Sequence, residues 1–232
     1  MLSAKMEDYV KTVYELQRGS DGAVSTSAVA ERLGVTAPTA TSMLETLAER
    51  GLVEREKYKG ARLTREGETV AIEVIRHHRL LETYLAEQLG YDWTEVHDEA
   101  DRLEHHISEE FEERVAEKLG EPEVDPHGDP IPTETLDPVD ERRGEALSEH
   151  GEGDTVVVER VRDRDPEELS YLSEEGITPG TRLVVEEVAP IDMFTVRLPD
   201  GETVSLPASV AEVIRVADPD AAENGEPDGV MG

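Results

Sequence analysis

The sequence predicts a mainly α N-terminal half, made of a winged helix-turn-helix and a second helical unit, followed by a small all-β barrel of SH3-like size. Three observations predict it. Apolar residues recur at helical spacing, punctuated by capping residues, as far as about Leu119. A proline-dense break follows at Glu121-Pro122-Glu123-Val124-Asp125-Pro126-His127-Gly128-Asp129-Pro130-Ile131-Pro132. Beyond Asp154 the β-forming residues alternate or cluster in short runs.

Residues 3–18 carry Met6, Tyr9, Val10, Val13, Tyr14 and Leu16 at helical spacing, with Gly19 behind them; Asp8 lies on this helix, off the apolar stripe. Ser25 can cap a short second helix, Gly34 supplies a turn, Thr36 caps a third helix and Pro38 lies in its first turn. That succession is a helix-turn-helix pattern. The segment Gly51-Leu52-Val53-Glu54-Arg55-Glu56-Lys57-Tyr58-Lys59-Gly60-Ala61-Arg62-Leu63-Thr64 has two short strand-like runs around a basic, glycine-containing tip and reads as a wing. The third helix offers Thr36, Pro38, Thr39, Thr41 and Ser42 at its start, small polar groups suited to base edges and phosphates in a major groove. Lys57, Lys59 and Arg62 of the wing could hold backbone phosphates.

A long helix is expected from Thr64 to about Gly90, with His78 and Glu82 four residues apart on one face. Another is expected from Val96 to about Leu119. Residues 136–152 read as an acidic linker. Thr155–Val161 and Arg182–Val188 read as strands, Pro166–Ser173 as a short helix, and Leu198-Pro199-Asp200-Gly201-Glu202-Thr203-Val204 as a hairpin turn. The Ala-, Asp-, Pro- and Gly-rich end after Val216 is expected to be disordered.

The charge is distributed unevenly. The chain holds 55 acidic and 23 basic residues, a net charge of −32, yet residues 1–64 hold nine of each. The whole excess therefore lies downstream of the proposed DNA-reading segment. Such acidity, with only five lysines, resembles proteins of organisms that keep molar salt in the cytoplasm, where a Debye length of about 3 Å screens self-repulsion. The absence of cysteine excludes disulfides and thiolate ligands, leaving nitrogen and oxygen donors for any metal. No signal-like segment opens the chain and no run of 18 apolar residues occurs, so a cytoplasmic protein without a membrane partner is expected.

The stretch Val96-His97-Asp98-Glu99-Ala100-Asp101-Arg102-Leu103-Glu104-His105-His106-Ile107 concentrates the chemistry. As a continuous helix it would bring His97, Asp101, Glu104 and His105 within about 100° of one another, two imidazoles and two carboxylates able to bind a divalent ion. His77 and His106 would point about 100° away, into solvent. His127 and His150 lie in loop or linker without a partner pattern, and Trp93 and Phe111 read as core or dimer-interface residues.

Together, Met6-Glu7-Asp8-Tyr9, Glu31-Arg32-Leu33, Gly51-Leu52-Val53, His78-Arg79-Leu80-Leu81-Glu82, His97-Asp98-Glu99-Ala100, Glu104-His105-His106 and Gly128-Asp129-Pro130-Ile131-Pro132 resemble the diphtheria-toxin-repressor family of metal-dependent transcriptional regulators. The resemblance covers residues 3–217. It implies a winged helix-turn-helix DNA-binding domain over 1–64, a helical metal-binding and dimerisation domain over 65–135, the linker over 136–152, an SH3-like β-barrel over 153–217 and a disordered tail over 218–232. It further implies a regulatory metal site of Asp8, Asp101, Glu104 and His105, and a second site of His78, Glu82 and His97 to which Asp165 and Glu168 add ligands. Asp8 and Asp101 stand where the iron-responsive branch has methionine and cysteine, which favours harder ions: Mn²⁺ foremost, or Fe²⁺. Lys11 stands where the manganese branch has a glutamate ligand. The implied function is that of a homodimeric repressor on a palindromic double-stranded operator, controlling manganese or iron uptake with the metal as corepressor. Two rivals are a metal-independent winged-helix regulator sensing another ligand, and a metalloenzyme using the same ligands. For the second, no nucleophile or base motif is found.

Overall fold

The computed structural model describes residues 2–18, 22–56, 60–138, 144–162, 166–190 and 192–219, the side chains of Glu56 and Pro166 aside. It divides into two compact units, Met1–Leu81 with Ala100–Glu121 and Ile131–Val139, and Glu82–Glu99 with Pro122–Pro130 and Asp140–Gly232. No described helix is long and apolar enough to cross a membrane.

The first unit opens with α1 (Ala4–Arg18), α2 (Thr26–Arg32) and α3 (Ala37–Glu49). The capping follows the sequence. Ser25 Oγ accepts the Ala28 N–H at 3.1 Å and Thr36 Oγ1 accepts the Thr39 N–H at 3.4 Å. Gly34, at a φ of +62°, takes the left-handed turn between α2 and α3 that a Cβ would disfavour. The strands β1 (Val53–Glu56) and β2 (Gly60–Leu63) pair antiparallel, Val53 opposite Leu63, to form the wing. Val10, Val13, Val29, Leu44, Leu47 and Ile72 close the core of this unit. Each such side chain contributes about 1.5–3 kcal/mol by leaving water. Burying Ala40, Leu44 and Leu47 of α3 turns its other face outward, with Thr36, Pro38, Thr39 and Ser42 exposed and Thr41 half-buried. Arg62 on β2 is also exposed, whereas Lys57 and Lys59 lie outside the described residues.

Helix α4 (Arg65–Leu89) matches the expected long helix, and Thr64 Oγ1 accepts the Gly67 N–H at its start. The expected single helix from Val96 to Leu119 is corrected to two, α5 (Val96–Leu103) and α6 (Glu109–Leu119). Ser108 caps α6 by accepting the Phe111 N–H at 3.3 Å, and an N-cap residue needs an extended backbone, here a ψ of 156°. Glu104 and His105 therefore occupy a turn past the end of α5, joined to it by the Glu104 N–H to Ala100 carbonyl bond.

The second unit is built on a six-stranded antiparallel sheet. Its strands are β3 (Glu145–Ala146), β4 (Thr155–Val161), β5 (Arg182–Ala189), β6 (Met193–Arg197), β7 (Thr203–Pro207) and β8 (Ile214–Ala217), in the order β3-β8-β4-β5-β6-β7. The architecture is SH3-like. Alternation is plain in β7, where Val204 and Leu206 face the core between exposed neighbours. Helices α7 (Pro166–Glu174) and α8 (Ala208–Val213) cover that core with Leu169, Leu172 and Val210. β3 falls inside the stretch read as a linker, pairing Glu145 with Val216, so the sheet begins before Asp154. The disordered-tail expectation concerns residues almost all outside those described.

The proline-dense loop of this unit is ordered by its own side chains. Asp125 Oδ1 accepts the N–H groups of His127 and Asp129 at 2.8 and 2.9 Å, and Arg160 Nη1 on β4 donates to Asp129 at 3.0 Å. Gly128 has a φ of +85° and passes so close to β4 that a Cβ would lie 2.0 Å from the Glu159 carbonyl oxygen. Only glycine fits there.

Candidate metal centre

In the first unit, a cluster forms where α1 meets the turn after α5. Asp8 and Lys11 come from α1, His78 from α4, Asp101 from α5, and Glu104 and His105 from the turn. His105 Nε2 lies 2.8 Å from Asp8 Oδ1 and 3.3 Å from Glu104 Oε1, and its Nδ1 lies 2.7 Å from Glu7 Oε2. One ligand atom each from Asp8, Glu104 and His105 falls within a 4.8 Å span, close enough to share an ion. Glu104 is 2% exposed, and its Oε2 faces His78 Nδ1 at 2.6 Å and the Lys11 ammonium at 2.9 Å. Asp101, half-exposed, reaches both His78 Nδ1 at 3.2 Å and Lys11 at 3.3 Å.

The protonation states follow from these contacts. Burial pushes the Glu104 carboxyl up, but the His78 hydrogen bond and the Lys11 charge outweigh it and hold Glu104 below the usual carboxylate range. The hydrogen bond to Asp8 raises His105 above the ordinary imidazole value; burial opposes it, and the Glu104 and Glu7 carboxylates add to it. Glu7 escaped the sequence reading. Its signal was adjacency to Asp8 in Met6-Glu7-Asp8, but its partner lies 98 residues away. By holding Nδ1, Glu7 fixes the ring so that Nε2 faces the other donors.

The second unit holds another donor group. Glu82, Asp125 and His127 are all buried, with ligand atoms within 4.8 Å of one another. His97 Nδ1 on α5 lies 3.1 Å from Glu82 Oε1, so these two residues of the expected second site do meet. His78 has its Nδ1 on Glu104 and Asp101. Glu168 is on α7 and belongs to none of the three-residue donor groups found among the described residues; Asp165 lies outside those residues.

Two histidine expectations are corrected. His127 is 4% exposed, stacked 5.3 Å from Trp93 between ring centroids, with Nε2 2.8 Å from the Trp93 carbonyl oxygen. A carbonyl only accepts, so Nε2 carries the proton and Nδ1, 3.8 Å from Glu82 Oε2, is the nitrogen available to a ligand. Its partners are distant in sequence, which is why the loop reading found none. His77 is likewise not solvated: Nε2 meets Glu112 at 2.9 Å and Nδ1 meets the Glu104 carbonyl oxygen at 3.2 Å. Phe111 is 43% exposed, and Trp93 packs on the core of the second unit.

Both groups offer carboxylate oxygen and imidazole nitrogen and no thiolate, a set suited to Mn²⁺ or Fe²⁺. The donors present thus fit a divalent ion.

Comparison with known proteins agrees. Residues 1–61 match the iron dependent repressor N-terminal DNA binding domain, 64–133 the iron dependent repressor metal binding and dimerisation domain, and 146–218 the FeoA domain. The iron-dependent repressor IdeR of Mycobacterium tuberculosis is 32% identical over 222 residues, covering 90% of this chain and 95% of that protein. The diphtheria toxin repressor of Corynebacterium glutamicum is 33% identical over 221 residues, covering 90% and 94%. Among solved structures, a manganese-dependent transcriptional repressor in complex with manganese is 40% identical, with a TM-score of 0.83, covering 92% of this chain and 99% of that one. With the fold, the donor groups and the full-length similarity in agreement, the chain belongs to the diphtheria-toxin-repressor family of metal-dependent repressors.

Proposed function

We propose that this protein is a homodimeric transcriptional repressor that binds a palindromic operator when Mn²⁺ or Fe²⁺ is available, silencing genes for uptake of that metal. One observation carries the reading: Asp8, in the segment matched by the DNA-binding model, stands 2.8 Å from His105, in the segment matched by the metal-binding and dimerisation model. Asp8, Glu104 and His105 would hold the ion, with Asp101 beside them. Bound there, it supplies two positive charges that tie the carboxylates and imidazole together. Asp8 then couples α1, and with it the helix-turn-helix, to the turn carrying Glu104 and His105. That coupling narrows the positions α3 can take relative to DNA. The exposed Thr36, Pro38, Thr39 and Ser42, with Thr41, form the reading surface, while Arg62, Lys57 and Lys59 contact phosphates.

Glu82, Asp125 and His127, with His97 on Glu82, form a second site in this reading, and His78, Asp165 and Glu168 are the further ligands the family resemblance suggests. The chain is not an enzyme in this account, and it works in the cytoplasm on double-stranded DNA.

Replacing Asp8 by Ala tests the reading. The variant should remain a dimer by light scattering yet lose most of the metal-induced gain in operator affinity, a loss on the order of 5- to 150-fold. Full metal activation of Asp8→Ala would remove the site from the switch.

A further inference from the structure

Lys11 is 9% exposed on α1, with its ammonium inside the first cluster. Nζ donates to Glu104 Oε2 at 2.9 Å, to Glu104 Oε1 at 3.1 Å and to Asp101 Oδ1 at 3.3 Å, and stands 3.3 Å from His78 Nδ1. The Glu104 carboxylate thus serves two groups of atoms. On one side are Asp8 Oδ1 and His105 Nε2, which lie 2.8 Å apart; on the other are His78 Nδ1 and Asp101 Oδ1, which lie 3.2 Å apart. Each of these pairs is one imidazole and one carboxylate. The two sides match in donor chemistry but differ in one respect: the chain's own cation is seated in the second.

We propose that Lys11 is a tethered cation filling the His78–Asp101–Glu104 half of the cluster, so that the switch takes a single divalent ion at Asp8, Glu104 and His105 instead of a carboxylate-bridged pair. This rests on the metal-switch reading above. A divalent ion on the second side would need the donor atoms that the ammonium already contacts, at ligand distances shorter than those contacts. Steric overlap and like charge therefore exclude the two from one place. Because the ammonium belongs to the chain, dilution does not remove it, and its local concentration at Glu104 is fixed by the fold. Lys11 sets the number of ions, and the Glu104 charge on that side is already matched before any ion arrives.

The test is manganese binding and electron paramagnetic resonance on the full-length chain. The Mn²⁺-loaded wild type should give only uncoupled six-line spectra. Lys11→Glu exchanges the cation for a carboxylate donor and should bind one more Mn²⁺ per chain by equilibrium dialysis, with an exchange-coupled spectrum from two neighbouring ions. Lys11→Gln removes the charge without adding an anionic donor and should also take up an extra ion, at least tenfold more weakly than Lys11→Glu; it decides the matter should Lys11→Glu fail to fold by thermal melting. An exchange-coupled spectrum in the wild type would overturn the proposal with no variant needed. So would folded variants binding the same number of ions as the wild type. Absence of Mn²⁺ and Fe²⁺ binding in the wild type would overturn the metal-switch reading itself, a different result from either of these.

Discussion

His105 is held from both sides, by Asp8 on Nε2 and by Glu7 on Nδ1. A ligating nitrogen must carry no proton, so in the proposed switch an ion at Nε2 would release the proton that Asp8 stabilises, while Nδ1–H would stay on Glu7. Since the Asp8 hydrogen bond raises His105 above 6.5, metal affinity should increase as pH rises from 6.5 through the elevated value. The proton released per ion, read by calorimetry in buffers of different ionisation enthalpy, should approach one at the lower end of that range and vanish above it. Flat proton release would show that His105 does not titrate on binding. Glu7→Gln should weaken metal binding by about 10- to 100-fold while leaving the fold intact, because it loosens the ring and lowers the basicity of Nε2. An unchanged dissociation constant would demote Glu7 to a surface carboxylate. Asp101, Glu104 and His105 stand out as donors because one short stretch holds them, whereas Asp8 enters only through the family resemblance, 97 residues from the His105 it meets. Glu7 and His127 were not legible in the sequence, since each acquires its role from a partner brought close only by folding, the His105 ring in one case and the Trp93 carbonyl in the other.

At the scale of elements, the break between α5 and α6 shapes the site. A continuous helix would have fixed Glu104 and His105 by helical phase alone. Instead they sit on a turn whose far end is set by the Ser108 cap, and α6 is fastened to α4 by Glu112. Glu112 bonds His77 Nε2 at 2.9 Å and also Arg76, itself 4% exposed. Burial pushes the Glu112 carboxyl up, but the bonds from His77 and Arg76 prevail and hold it below its ordinary 4.5. Burial pulls His77 down, but Glu112 prevails and holds it above 6.5. The Glu112 contribution is therefore complete above pH 4.5 and fades as pH falls through its depressed value. The His77 contribution is complete below pH 6.5 and fades as pH rises through its elevated value. Glu112→Gln should cost about 2 kcal/mol in metal-free protein between pH 4.5 and 6.5, measured by denaturant unfolding, and less on either side. A cost independent of pH would contradict this arrangement. The helix-turn-helix was readable because caps and glycine are local signals. The α5–α6 break was hidden because Ser108 and Glu109-Glu110 are compatible with an acidic helix face until the cap geometry is seen.

For the molecule as a whole, the charge pattern agrees with DNA binding by the N-terminal segment that matches a DNA-binding domain. Residues 1–64 balance nine acidic and nine basic side chains in a chain of net charge −32, so the surface presented to DNA is spared the repulsion the rest would exert. In the function proposed above, binding in high salt, where counterion release contributes little, depends on placing α3 well, the placement there assigned to Asp8 and His105. The β unit was foreseen in outline from its alternating strands, whereas the place of β3 was not, because two residues carry no periodicity. Metal and DNA must then strengthen each other's binding by the same factor, typically 5- to 150-fold. The most direct measurement is fluorescence anisotropy of a labelled operator duplex in high salt, titrated with the protein in saturating Mn²⁺ or Fe²⁺ and again in chelator. Operator affinity should be at least fivefold higher with the metal; identical affinity in chelator would contradict a metal switch.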